Sequence, residues 1–213
     1  MASLYLLDDH AMLRDGLAAV LRAAGHRVVG EAADPTTALA EIQRLAPHIL
    51  LLDLHLGERS GFELLEELQR RRIAVRTVVL TMSAQPRHVA EALRLGAAGY
   101  LLKGAPSAEL LRGIEVVLSG RRHLGGEVAD LAVQGFTIRD EQALLASLSV
   151  RERQMAELVV RGRSSAEIGA LLHLSPKTVD SYRSRLMAKL GVADVTALVR
   201  FAIRVGLIGV DEC

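Results

Sequence analysis

Ile49-Leu50-Leu51-Leu52-Asp53 is the stretch on which the fold turns. Four apolar residues in a row, closed by a carboxylate, read as a short strand buried on both faces. An earlier run has the same form: Leu4-Tyr5-Leu6-Leu7, closed by the acidic pair Asp8-Asp9. If the two strand ends meet, three acids crowd together. Such a cluster is costly unless a hard cation joins it. The pattern predicts a magnesium site with one carboxylate left to act as a nucleophile.

Outward from these runs, strand-like and helix-like patterns alternate. Ala11–Ala24 carries Leu13, Leu17, Val20 and Leu21 at helical spacing, with Gly25 as a stop. Val28–Ala32 reads as a strand, and Asp34 caps a helix that has Pro35 at its first position. Ser60-Gly61 leads into a helix with Leu64, Leu65 and Leu68 inward; Val75–Thr81 is a strand; Val89, Ala92 and Leu93 line the next helix. Gly99–Lys103 is the last strand, and a helix capped by Ser107 ends at Gly120. Five such units predict an α/β doubly wound five-stranded parallel sheet with strand order 2-1-3-4-5. Strands 1 and 3 are then neighbours, so Asp8, Asp9 and Asp53 share a crevice with Thr81 and Lys103 on the same rim. Each has a place in phosphoryl transfer. Asp53 attacks phosphorus, Mg2+ held by Asp8, Asp9 and Asp53 neutralises charge, Lys103 pairs with the phosphoryl group, and the Thr81 hydroxyl bonds to it.

The 213 residues suffice for two ordinary domains, and a chain 50% apolar but only 3% aromatic must build an aliphatic core. The net charge of +1 hides a split: 15 basic and 14 acidic groups in 1–123, 1 and 4 in 124–143, 10 and 7 in 144–213. A locally basic C-terminal segment suits a polyanionic partner. The lone cysteine, Cys213, forms no internal disulfide, which fits a reducing cytoplasm. Neither a signal peptide nor an apolar stretch of the ~18 residues needed to span a bilayer is visible, so no membrane association is expected.

Residues 124–143 are acidic, begin within a cluster of Gly120, Gly125 and Gly126, and read as an interdomain linker with one short helix at Glu127–Val133. The second domain spans 144–213, and from Leu148 its pattern is purely helical. Ser149 with Glu152 forms a capping box, the next helix begins near Ser164-Ser165, and a tight turn at His173-Leu174 precedes Ser175-Pro176. The last helix spans Asp194–Val205. Two short helices joined by a tight turn suggest helix-turn-helix. On the third helix Val179, Leu186 and Leu190 face one way, and Lys177, Ser181, Ser184, Arg185 and Ala188 the other. A small polar face with basic edges suits the major groove. An ordinary solvated helix face has the same pattern.

Residues 1–123 resemble the receiver domain of bacterial response regulators, a flavodoxin-like fold. The resemblance rests on Leu-Asp-Asp-His at 7–10, Leu-Leu-Leu-Asp-Leu at 50–54, Leu-Thr at 80–81 and Gly-Ala-Ala-Gly-Tyr-Leu-Leu-Lys-Gly-Ala at 96–105. It implies phosphorylation of Asp53 by a cognate sensor histidine kinase or a small phosphodonor, with the His55 backbone carbonyl as a further Mg2+ ligand. Thr81 and Tyr100 would form a switch pair: Thr81 turns to the phosphoryl group and Tyr100 moves inward. Tyr100 also reads as an ordinary half-buried strand aromatic. Residues 148–208 resemble the four-helix DNA-binding domain of the LuxR/NarL/FixJ class, through Leu148-Ser-Val-Arg-Glu-Arg, Ser165-Ala-Glu-Ile-Gly-Ala-Leu-Leu, Leu174-Ser-Pro-Lys-Thr-Val and Met187-Ala-Lys-Leu. That resemblance implies base contacts by Asp180, Ser181 and Ser184. Phosphate contacts would come from Lys177, Thr178, Arg183, Arg185 and Lys189. It also implies a homodimer through the last helix (Val195, Leu198, Val199, Ala202) reading an inverted repeat in promoter DNA, and contact with RNA polymerase.

Two departures stand out. Receivers usually carry Met-Pro where this chain has Leu56-Gly57, which predicts a looser loop. Many relatives place Lys where Asp180 stands. Base readout and helix N-terminus stabilisation both stay open for it. The expected function is a phosphorylation-switched transcription regulator rather than a turnover enzyme. One rival is a phosphatase working through an aspartyl-phosphate. That chemistry wants a second acid where His55 stands. The other is a phosphorylation-independent DNA-binding regulator with a vestigial receiver.

Overall fold

The computed structural model describes residues 1–208 of the chain, and Cys213 lies outside them. The elements in order are β1 (Ser3–Leu7), α1 (Ala11–Ala23), β2 (Arg27–Ala32), α2 (Pro35–Leu45), β3 (Ile49–Leu52), β4 (His55–Leu56), β5 (Arg59–Ser60), α3 (Gly61–Arg70), β6 (Arg76–Thr81), α4 (Pro86–Arg94), β7 (Gly99–Leu102), α5 (Ser107–Leu118), β8 (His123–Leu124), α6 (Val128–Ala146), α7 (Val150–Val160), α8 (Ser165–Leu172), α9 (Pro176–Leu190) and α10 (Val195–Arg204). The chain divides into two units, Met1–Gly135 and Phe136–Cys213.

In the first unit a parallel sheet runs β2-β1-β3-β6-β7-β8. The first five strands keep the expected order, with β1 and β3 in register Leu4↔Ile49 to Leu7↔Leu52. The pleat divides each strand between two cores. Tyr5, Leu7, Leu50 and Leu52 pack with residues of α2, α3 and α4 on one face. Leu4, Leu6, Ile49 and Leu51 pack with α1 and α5 on the other. These strands are apolar throughout because both faces are covered.

The sheet has six strands rather than five. After Gly120 (φ +84) turns the chain, the His123 N–H donates to the Ala98 carbonyl at 3.0 Å and the Gly125 N–H to the Tyr100 carbonyl at 3.0 Å. This continues the ladder along the edge of β7. The expected linker is also more ordered than its composition suggested. Instead of one short helix at Glu127–Val133, α6 runs 19 residues. It contains no proline, and a single glycine does not stop a helix that tertiary contacts hold. Val128 and Ala132 are buried in the first unit's core. At Gly135 a Cβ would lie 2.0 Å from the Pro86 carbonyl oxygen, so only glycine lets α6 approach α4 this closely.

In the second unit Ser149 with Glu152, and Ser164 with Glu167, form capping boxes on α7 and α8. Ser175 caps α9 with Pro176 in its first turn. The turn between α8 and α9 is tight for two reasons. His173 adopts a left-handed conformation (φ 55), and a Cβ on Gly169 would lie 2.6 Å from the Leu174 carbonyl oxygen. The core joins Met155, Val159, Ile168, Val179, Leu186 and Phe201. Two residues expected on a dimer surface belong to this core: Leu198 and Ala202 are both 0% exposed. The small unit needs that side of α10 for its own core, which leaves Val195 and Val199 only partly covered.

Candidate functional site

The carboxyl ends of β1 and β3 bring Asp8 and Asp53 together, each 3% exposed. The Asp53 N–H donates to the Leu7 carbonyl at 2.9 Å, extending the β1–β3 pairing up to the acids. Ligand atoms of Asp8, Asp9, His10 and Asp53 all lie within 4.8 Å of one another. Carboxylate oxygens are hard donors, so the set suits a divalent cation such as Mg2+. Lys103, just past β7, closes the cluster. Its ammonium is 2.6 Å from Asp53 Oδ2 and 2.8 Å from Asp8 Oδ2. Burial disfavours the charge on Lys103, but the hydrogen bonds it donates to Asp53 and Asp8 outweigh this, and its pKa rises. The His10 side chain closes the outer side, with Nδ1 2.7 Å from Asp9 Oδ1 and 3.2 Å from Asp8 Oδ1.

Leu56-Gly57 is tied down rather than loose. β4 and β5 pair as a two-residue hairpin, and Gly57 (φ +65) turns its N–H onto Asp9 Oδ2 at 3.0 Å. Proline offers neither that φ nor that donor. On the inner side, a Cβ at Gly61 would lie 2.3 Å from the Asp53 carbonyl oxygen, so glycine lets α3 start against the end of β3.

Thr81 closes β6 and is fully buried. The Lys103 N–H donates to its carbonyl at 2.9 Å. Tyr100 is neither half-buried nor waiting outside: it is already turned inward, 0% exposed, and its hydroxyl donates to the Ser83 carbonyl at 2.8 Å. Burial pushes the Tyr100 pKa up to about 12. The exposed His55 ring lies 6.1 Å from the His88 ring. Burial, then the charges of Arg87 and His55, push the His88 pKa down. Ser83 and His88, 2.7 Å apart at Oγ and Nδ1, had no signal in the sequence beyond lying just after Thr81.

On α9, Lys177, Ser181, Ser184 and Arg185 are exposed together, as the pattern predicted. Arg185 lies 4.6 Å over the Tyr182 ring. Four other candidates have internal partners. The Asp180 carboxylate accepts from the Ser165 hydroxyl at 2.6 Å, and Arg183 donates to the same hydroxyl at 3.2 Å. Asp180 thus braces the first turn of α8, a role the sequence did not suggest. The Lys189 ammonium donates to the Ser147 carbonyl at 3.1 Å and to Glu152 at 2.9 Å. The Thr178 hydroxyl pairs with Ser175 at the start of the helix.

Comparison with known proteins agrees with this arrangement. Residues 4–115 match the response regulator receiver domain family, and residues 146–202 match the bacterial regulatory proteins of the luxR family. The chain is 34% identical over 209 residues to the response regulator UvrY of Escherichia coli K12, covering 97% of this chain and 96% of that one. It is 31% identical over 210 residues to the response regulator GacA of Pseudomonas aeruginosa, covering 98% of each. Among solved structures it is similar to RcsB from Salmonella enterica serovar Typhimurium bound to promoter DNA in the presence of the phosphomimetic BeF3−. That likeness has a TM-score of 0.61 and 26% identity, covering 96% of this chain and 98% of RcsB. No helix among the described residues is long and apolar enough to cross a membrane. The chain belongs to the NarL/FixJ family of two-component response regulators, with a receiver domain followed by a LuxR-type helix-turn-helix DNA-binding domain.

Proposed function

We propose that Asp53 is the phosphoacceptor, that a cognate sensor histidine kinase supplies the phosphoryl group, and that its arrival raises the affinity of the helix-turn-helix domain for promoter DNA. One observation carries this reading. A buried ammonium bridges Asp53 and Asp8 at the carboxyl edge of a parallel sheet, with Asp9 alongside. An Asp53 carboxylate oxygen attacks phosphorus as the bond to the donor breaks. Lys103 then pairs with the anionic phosphoryl oxygens, and the Thr81 hydroxyl donates to one of them. Asp8, Asp9, Asp53 and the His55 carbonyl would hold Mg2+, and the ion would supply charge neutralisation for the phosphoryl oxygens. Thr81 and Tyr100 are the two-state element that the new group biases.

On DNA, Ser181 and Ser184 face base edges while Lys177 and Arg185 reach phosphates. The internal pairs of Asp180, Arg183, Thr178 and Lys189 fit a bracing role better than a free contact. A second copy joins through the partly covered apolar side of α10 at Val195 and Val199, so that two recognition helices read an inverted repeat. The protein acts in the cytoplasm, with RNA polymerase as a further partner, and turns over no substrate beyond its own phosphoryl group. The complete set of Asp8, Asp9, Asp53, Thr81 and Lys103 disfavours a vestigial receiver. The test is phosphoryl label from acetyl phosphate. Uptake that needs Mg2+ and vanishes in Asp53→Asn supports the assignment, and a wild type that never takes label ends it.

A further inference from the structure

Ser83 lies in the β6–α4 connection, 8% exposed, and is bonded on three sides. Its N–H donates to Thr81 Oγ1 at 3.4 Å. Its carbonyl accepts from the Tyr100 hydroxyl at 2.8 Å. Its own hydroxyl lies 2.7 Å from His88 Nδ1. Both members of the switch pair therefore meet on one residue, and His88 holds that residue in place. His88 sits in the first turn of α4. Its ring is fixed in turn by the edge of Phe62, with centroids 5.5 Å apart at 67°.

We propose that His88 is a positioning residue for the phosphoryl switch, holding the Thr81 hydroxyl and the Tyr100 ring in one arrangement through Ser83. The proposal rests on Asp53 being the phosphoacceptor. The Ser83 N–H occupies a lone pair on Thr81 Oγ1, which leaves the Thr81 O–H free to donate elsewhere, as a phosphoryl oxygen requires. When the Ser83 hydroxyl loses His88, residues 82–85 gain freedom, and the contacts to Thr81 and Tyr100 weaken together. One net hydrogen bond between uncharged groups corresponds to about a fivefold change in rate.

The test measures initial rates of Mg2+-dependent labelling by acetyl phosphate in the full chain, with thermal unfolding run beside it. The variants are His88→Ala, His88→Asn, Ser83→Ala and the double His88→Ala/Ser83→Ala. His88→Ala and Ser83→Ala each slow labelling about fivefold. The double variant is no slower than either single. His88→Asn, whose amide places a polar atom near the Nδ1 position, recovers most of the rate. Three results overturn the positioning role: His88→Ala labelling as fast as wild type, His88→Asn as slow as His88→Ala, or single effects that multiply in the double. If wild type itself takes no label, the assignment of Asp53 falls and this inference falls with it. A labelled wild type with any of those three results removes the positioning role alone.

Discussion

Replacing Lys103 with Met leaves two buried carboxylates without their cation. Asp8 and Asp53 are each 3% exposed, and the Lys103 side chain that bridges them is 7% exposed. Removing one partner of a buried pair costs about 3–5 kcal/mol, because the remaining charge stays desolvated. For a unit the size of Met1–Gly135, each 1 kcal/mol moves the midpoint by roughly 3–5 °C. The receiver transition of Lys103→Met should therefore fall by about 10–20 °C in EDTA, followed by calorimetry on the full chain. Adding Asp53→Asn removes one stranded charge and should recover a good part of the loss, so the two effects are far from additive. Mg2+ at 100 times its Kd adds about 2.7 kcal/mol to any form that binds it. A loss below about 1 kcal/mol, the range of a surface pair, would refute the buried bridge. Strict additivity with Asp53→Asn would refute it too.

Three further predictions address the loop, the turn and the second unit's caps. Gly57→Pro removes the N–H that holds Asp9 at 3.0 Å and forbids the φ of +65. Mg2+ affinity by titration calorimetry should fall about tenfold, the usual effect of losing a supporting bond to a metal ligand. Gly169→Ala pushes a Cβ to 2.6 Å from the Leu174 carbonyl oxygen and should destabilise the helix-turn-helix unit by about 1–3 kcal/mol in urea unfolding. The Ser149 N–H, then Lys189 and the Ser149 hydroxyl, hold Glu152 down to about 2 from 4.5. A depressed carboxylate contributes stability above its unfolded pKa and loses it as pH falls through the folded one. Glu152→Gln should therefore flatten the stability profile of that unit between about pH 4.5 and 2, which unfolding at a series of pH values will show.

The sheet and its acidic edge were legible because their signals are local and redundant. An apolar run such as Ile49–Leu52 can hardly be anything but a buried strand, and strand order alone then brings Asp8 to Asp53. The caps at Asp34, Ser149 and Ser175 were equally readable, since each depends on residues within three positions. What was hidden depends on partners far apart in the chain. β8 forms only because the edge of β7 offers unpaired carbonyls, and α6 continues because α4 and the core receive Val128, Ala132 and Gly135. The apolar residues of α10 were counted correctly. Which of them the small core consumes could not be read from the helix alone, so Leu198 and Ala202 were misplaced on the outside. Asp180 shows the same limit: its charge was visible, its bond to Ser165 across two helices was not.

The most direct measurement is DNA affinity by fluorescence anisotropy, on a site selected from random sequence, for wild type and Asp53→Asn, each with and without acetyl phosphate and Mg2+. If phosphorylation of Asp53 is the input to the DNA-binding domain, phosphodonor tightens wild-type binding about fivefold or more and leaves Asp53→Asn unchanged. Equal affinity in all four samples would contradict the switch.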